Sequence, residues 1–380
     1  MVACIFLTMF LPIALAILLG EFNQTIVSRS KSTPMVLGAK GSGLDLTLQS
    51  IYFRQRTPDT IPYRKATEVE AVEVNDTRLV TAIPLHSRFT AQGFPVVGTD
   101  LRYFGFRQLE IADGAPLTLL GDCVLGHSVA RRLRLGAGDQ LLTDKENSVS
   151  MTGDYPLKMN IRGVLARANS PDDNAVFVDL KTAWVVQGLG HGHQDLENET
   201  DNNLVIRRGD KVEARASVQP FLEINESNID SYHFHGDPNE FPISALIAFA
   251  DNEKNETLFQ ARYLGSGGKQ VDDELQLVRP IDEVSRLLEM VFRVKQLFFA
   301  NAMLVSISTV LLLVLVVLLS MRLRAGEMAT MYKLGCSRGT IALLQIGELF
   351  FVFLIAGVAL TIAIFWIRSV AGGLVERLIS

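Results

Sequence analysis

The chain opens on an uncharged apolar run, Val2 to Gly20, and returns to two more near its end, Leu297 to Met321 and Leu349 to Ile367. Each is 19 to 25 residues long and holds no Lys, Arg, Asp or Glu. At a rise of ~1.5 Å per residue, each can cross the ~30 Å hydrocarbon core of a bilayer as a helix. Three uncharged stretches of that length do not fit one soluble domain, so the pattern predicts a membrane protein. Ala14-Leu15-Ala16 offers a small-x-small cleavage pattern, but no basic residue precedes the first run and the run is long for a signal core. It reads as a retained anchor.

Between the first and second runs the period shortens. From about residue 66, alternating β-rich runs are separated by turn residues, and Val69–Val74, Leu79–Pro84, Phe94–Val97, Lys158–Leu165 and Ala175–Val178 read as strands. Residues 127–134 and Leu180–Gln187 read as helices, the second broken by Gly188 to Gly192. Polar, acidic residues 195–202 and 223–241 read as exposed loops, and residues 243–250 and 275–278 as strands returning to the sheet. Such a mixture predicts an α+β domain. Over Ile281–Gln296 the period becomes helical, with Val284, Leu287, Leu288, Val291 and Phe292 on one stripe. No Gly or Pro separates this stripe from the second span, which predicts a rigid stalk.

The fold class expected is a membrane protein: α-helical transmembrane spans plus a mixed α+β extracytoplasmic domain and a helical stalk. The expected boundaries are a first span over 1–20, an outer domain over 21–280, a stalk over 281–296 and a second span over 297–321. A coupling segment over 322–345, a third span over 346–368 and a tail over 369–380 complete the chain.

Charge sets the orientation. The short stretch between the last two spans carries Arg322, Arg324, Lys333 and Arg338 against Glu327 and Glu348, and basic excess marks the cytoplasmic side. The outer domain is then extracytoplasmic. A net charge of -5 without a polybasic tail argues against nucleic acid as a partner. Cys123 is alone in the outer domain, so no disulfide can form within it.

Candidate chemistry is sparse. Gly38-Ala39-Lys40-Gly41-Ser42 lacks the spacing of a Walker phosphate loop, and reads as a turn before the apolar-rich segment Leu44–Tyr52. Gly335-Cys336-Ser337-Arg338-Gly339 matches the G-x-S-x-G elbow formally, but no strand precedes it and no His lies in the segment. Asp172-Asp173 reads as a turn. His191-Gly-His193 and His233-Phe-His235 are two His-x-His pairs in polar loops that could supply zinc ligands, yet nothing in the sequence shows that the pairs meet, and no metal site is favoured. No nucleophile, base and orienting group can be assembled, so an enzyme is not expected.

The segment between the last two spans has more internal order. Ala325–Leu334 predicts a short helix with Met328, Met331 and Tyr332 on one face, stopped by Gly335 at C′. Ser337 is placed to cap the next helix. A short helix with an apolar face is what a partner's groove accepts. Glu348 is costly at a membrane edge unless paired, and Arg338 or Arg324 are its candidate partners.

The run Arg324-Ala-Gly-Glu327-Met-Ala-Thr-Met-Tyr-Lys333-Leu334-Gly335-Cys-Ser337-Arg338, followed by Glu348, resembles the coupling segment of FtsX-like, MacB-type permease subunits of bacterial ABC transporters. Leu37-Gly38-Ala39-Lys40-Gly41-Ser42 with Leu46, Leu48 and Tyr52 is similar to the start of the outer domain in one branch of these permeases. Val96–Thr99 and Gly190–His193 are similar to segments of the same branch. The resemblance covers nearly all of the chain, with an FtsX-like region over 297–380. It departs at the ends, where the family pattern has a fourth span and a basic segment ahead of the first.

The resemblance implies a permease that couples ATP hydrolysis by a separate ABC ATPase to motion of a MacB-like periplasmic domain. Such motion would export or extract an envelope substrate (lipid, lipoprotein, peptide or drug) or activate an envelope partner. Arg324, Glu327, Met328, Met331, Tyr332, Lys333, Leu334, Gly335, Ser337, Arg338 and Glu348 would form the ATPase contact. No cofactor is expected on this chain, ATP and Mg being bound by the partner subunit. Further partners implied are a second permease copy or paralogue and the lipid bilayer, with room for a periplasmic adaptor protein. The expected location is the bacterial inner membrane, multi-pass, with the large domain in the periplasm. The competing class is a membrane-anchored ligand sensor or binding module that signals through the cytoplasmic loop.

Overall fold

The computed structural model describes residues 2–54, 59–74, 76–144, 156–192, 205–208, 211–214, 221–264 and 274–379. In chain order its elements begin with α1 (Val2–Lys31), β1 (Met35–Ala39), α2 (Gly43–Tyr52), β2 (Ile61–Pro62), α3 (Arg64–Glu70), β3 (Glu73–Val74), β4 (Thr77–Arg78), β5 (Thr81–Ala91) and β6 (Phe94–Thr99). They continue with α4 (Arg102–Arg107), β7 (Ile111–Gly114), β8 (Asp122–Leu125), α5 (His127–Leu133), β9 (Gln140–Leu142), β10 (Lys158–Leu165), β11 (Val176–Asp179), α6 (Leu180–Val186) and β12 (Gly190–Gly192). Next come β13 (Val205–Arg208), β14 (Lys211–Ala214), β15 (Tyr232–Phe234), β16 (Pro242–Ile243), β17 (Ala245–Phe249), α7 (Glu253–Leu264) and β18 (Leu275–Val278). The chain finishes with α8 (Pro280–Leu323), α9 (Ala325–Lys333) and α10 (Arg338–Ile379). Two compact units emerge: a helical one, Met1–Val27 with Ser285–Leu378, and a sheet-containing one over Ser28–Val284.

In the helical unit, α1, α8 and the Arg338–Gly373 part of α10 are each long and apolar enough to cross a membrane. Their large side chains, among them Leu311, Leu315, Phe351 and Phe365, are exposed. That much bare apolar surface is incompatible with water and matches a lipid solvent. The stretch read as stalk and second span is one helix, α8, and the first helix runs past Gly20 to Lys31. Of the α8 stripe, Val284 and Leu288 are buried while Phe292 is exposed.

The sheet-containing unit is a mixed α+β domain built on a ten-stranded sheet of order β18-β1-β17-β5-β6-β11-β8-β10-β7, with β9 beside β10. Most pairs are antiparallel, but β11 runs parallel to β6 and β10 parallel to β8. Successive residues of a strand feed opposite cores. In β11, Val176 and Val178 join one apolar cluster and Phe177 another, and in β8 Cys123 and Leu125 oppose Val124 in the same way. With both faces covered, central strands read as continuous apolar runs rather than as an alternation. All positions of β1, β8 and most of β5 are buried accordingly.

Several expectations change. Val69 and Glu70, expected at the front of a strand over Val69–Val74, close α3 instead, where Ala66 and Val69 bury its inner face, and only Glu73–Val74 is strand. Leu37 and Gly38 lie in β1, and the turn follows them; Ser42 then caps α2 by accepting a hydrogen bond from Asp45 N. Residues 223–241 are not simply an exposed loop, since they contain β15 and bury Ile224 and Phe241. Gly190–Gly192 is a strand rather than a mere break. The loop read over 195–202 lies outside the described residues.

Candidate functional site

The stretch between α8 and α10 is a helix held by local chemistry at both ends. It breaks from α8 at Arg324, which leaves helical geometry with φ -90° and ψ 5°, although Met328 N still donates to Arg324 O at 3.0 Å. Glu327 in the first turn and Lys333 in the last complement the helix dipole. The stop is a Schellman motif: Gly335 N donates to Tyr332 O and Cys336 N to Met331 O, both at 3.1 Å, with Gly335 at φ +97°. A side chain at that φ is strained, which explains the glycine.

Ser337 restarts the helix, its Oγ accepting from Thr340 N at 3.1 Å. That same bond uses the hydroxyl of the formal G-x-S-x-G match, which therefore serves as a cap. Glu348 finds Arg324, not Arg338: Arg324 Nη1 donates to Glu348 Oε2 at 2.7 Å and Nη2 to Oε1 at 3.5 Å. Arg338 instead sits over the Tyr332 ring, 5.5 Å from its centroid. Met331, Tyr332 and Leu334 are exposed, Leu334 at 80%, and Met328 is half-buried. The segment thus presents an apolar helix face whose ends are locked by an ion pair, a glycine stop and a serine cap.

A second polar centre lies in the sheet-containing unit, and spacing alone gave no sign of it. The last turn of α1 carries Arg29, which is buried with Asp172 and Tyr103. Arg29 Nη1 lies 2.8 Å from Asp172 Oδ2, and Nη2 donates to Asp172 Oδ1 at 2.9 Å and to Tyr103 OH at 3.1 Å. Tyr103 OH donates to Asp172 Oδ1 at 2.7 Å, and Ser170 Oγ to Asp172 Oδ2 at 2.8 Å. Burial pushes the Asp172 carboxyl up, but the Arg29 and Arg107 charges and the Tyr103 and Arg29 hydrogen bonds outweigh it and hold it below the usual carboxylate range. The turn expected at Asp172-Asp173 is present as the 3-10 turn Pro171–Asn174. It places the Asp172 carboxylate against Arg29 in the last turn of α1.

Among the described residues, His191 meets the His233–His235 pair. Strands β12 and β15 pair antiparallel with His191 opposite His233, and His235 N donates to Leu189 O at 2.9 Å, extending the pairing. The rings of His191, His233 and His235 lie with centroids 4.8 to 4.9 Å apart. His193 lies outside the described residues. Among the described cysteines, Cys123 is buried and burial pushes its thiol up, so it is inert, while Cys4 and Cys336 are exposed.

Comparison with known proteins places this architecture. The model of the MacB-like periplasmic core domain matches residues 1–219. No curated protein matches in sequence. Among solved structures, the periplasmic region of MacB from Actinobacillus actinomycetemcomitans aligns at 11% identity and TM-score 0.36, over 70% of this chain and 97% of that one. The extracellular domain of the noncanonic ABC-type transporter YknZ from Gram-positive bacteria aligns at 12% identity and TM-score 0.34, over 64% and 98%. A domain of a Porphyromonas gingivalis permease protein aligns at 10% identity and TM-score 0.28, over 65% and 86%. The family model, which matches more than half of the chain, decides the assignment: this chain belongs to the family of the MacB-like periplasmic core domain.

Proposed function

We propose that this chain is a permease subunit that turns ATP hydrolysis by a separate ABC ATPase into motion of its periplasmic domain. The observation that carries the reading is α9: a short helix with an exposed apolar face, fixed at both ends and set between two membrane-long helices. Met328, Met331, Tyr332 and Leu334 supply the surface that enters a groove on the ATPase. Arg324 with Glu348, and Arg338 over Tyr332, keep the helix from swivelling, so that a push on it reaches α8 and α10.

In this reading the segment is cytoplasmic, the sheet-containing domain is periplasmic and the chain resides in the inner membrane. It works as a dimer with a second copy or a paralogue. ATP and Mg²⁺ are bound by the ATPase, and this chain performs no chemistry of its own. Two membrane helices deliver motion outward. The Arg29–Asp172 pair seats the last turn of α1 in the periplasmic domain, and α8 continues unbroken from Pro280. The work done there is export or extraction of an envelope lipid, lipoprotein, peptide or drug, or activation of an envelope partner, with a periplasmic adaptor as a further component.

Co-purification with an ABC ATPase from the same cell tests the reading. Met331→Asp places a charge on the apolar face, and Gly335→Pro demands φ near −65° where the stop needs +97°. Both variants are expected to lose the ATPase while remaining in the membrane. Retention of the ATPase by both would sink the proposal.

A further inference from the structure

Three imidazoles converge on one face of the β12–β15 pair, and their placement follows from strand geometry. Side chains alternate across a strand, so His233 and His235 share a face and the register sets His191 directly across from His233. The opposite face is occupied by the Phe234 and Tyr232 rings. A Cβ at Gly190 would lie 2.6 Å from the Phe234 ring, and one at Gly192 2.6 Å from the Tyr232 ring. The two glycines flanking His191 therefore let the aromatic rings close over the back of the pair, leaving the histidines on the other side.

One ring nitrogen from each of His191, His233 and His235 lies within 4.8 Å of the other two. Tetrahedral zinc with nitrogen ligands at ~2.0–2.1 Å needs donor nitrogens about 3.3 Å apart. Ring rotation of surface side chains closes that difference, and His235 stands exposed. One ring is already oriented: His233 Nδ1 donates to Ser231 O at 3.2 Å. Metal-bound histidines characteristically give their other nitrogen to a carbonyl or carboxylate in this way.

We propose that His191, His233 and His235 form a binding site for a divalent transition metal of the zinc class. Three neutral imidazoles select zinc, copper or nickel over calcium and magnesium, which require oxygen ligands. Among the described residues these three are the protein ligands, which leaves one tetrahedral position beyond them. The metal ties the strand that follows α6 to the strand ahead of β16, two segments more than forty positions apart, and so stabilises this part of the domain by mass action. The proposal is independent of the transport reading, since it rests only on these side chains.

The test uses the full-length chain in detergent, purified through a histidine-free tag and stripped with a chelator. Zinc titrated against a chromophoric competitor is expected to bind one to one, in the micromolar range or tighter, and cobalt(II) in its place to show the intense visible bands of a tetrahedral site. His191→Ala, His233→Ala and His235→Ala are each expected to weaken zinc binding by at least about 100-fold, the upper end of what loss of an outer-shell partner alone costs. His235→Cys, which supplies another zinc ligand, retains it, and His127→Ala leaves it unchanged. Zinc is expected to raise the melting temperature of the wild type and not of His235→Ala, whose metal-free melting matches that of the wild type. Millimolar affinity in the wild type, or tight binding that survives removal of all three imidazoles, would overturn the site.

Discussion

Replacing Asp172 by Asn should unseat the end of α1 from the sheet-containing domain. Asp172 is 0% exposed and Arg29 9%, and their bidentate contact at 2.8 and 2.9 Å is closed by Tyr103 and Ser170. Such a pair adds little net stability, because desolvation offsets most of its Coulomb energy, but removing one partner strands a buried charge at a cost of about 3–5 kcal/mol. Asp172→Asn retains the shape and strands Arg29. For a domain of this size ~1 kcal/mol shifts melting by roughly 2–4 °C, so the variant should melt roughly 10 °C lower. Tryptophan fluorescence reads this out, since Trp184 is buried in the same domain. The double variant Arg29→Met with Asp172→Leu removes both charges and should recover most of the loss. An Asp172→Asn variant that melts within a degree or two of wild type, or a double variant no better than the single, would refute the reasoning. Acid gives a parallel check: the folded carboxyl is held below its unfolded value. Its contribution is therefore complete above the unfolded pKa and lost as pH falls through the folded one.

Two further predictions follow from buried or exposed side chains. Burial, with a smaller contribution from Arg88, pushes His86 down to about 4 from 6.5 against the opposing hydrogen bond to Gln187, so the unfolded chain takes the proton first. Stability should fall by about 3 kcal/mol as pH drops from 6.5 toward 4; in His86→Gln the slope of melting temperature against pH over that window should flatten, and an unchanged slope would exclude His86 as its source. Cys336 is exposed and Cys123 buried, so a membrane-impermeant maleimide should label Cys336 only once the cell is opened and Cys123 only after unfolding. Labelling of Cys336 in intact spheroplasts would reverse the orientation assigned here.

What local chemistry controls was legible without coordinates. The three candidate spans declare themselves by an absence of charge, because a charge in the hydrocarbon core of a bilayer is costly. The stop at Gly335 and the cap at Ser337 are also legible, since a Schellman turn and a serine cap depend on residues within a few positions of each other. Strand β10 spans the residues its alternation predicts, Lys158–Leu165, because it lies toward the rim of the sheet with alternate positions half-exposed.

Tertiary structure decided the rest. Val69 carries the β-branched side chain of a strand former, yet it packs as the inner face of α3, because burial overrides weak local propensity. Arg29 and Asp172 are 143 positions apart, and neither has a local pattern that names the other. His191 and His233 became neighbours only through the register of two short strands, which glycines at 190 and 192 permit by yielding to the rings opposite. The sequence by itself determined that the chain crosses a membrane, which segment links the last two spans and how that segment's helix ends, all matters of neighbouring residues and solvent. Which distant side chains meet, at the seat of α1 and at the histidine triad, was left to the folding of the sheet, because those contacts depend on long-range strand order that no window of sequence contains.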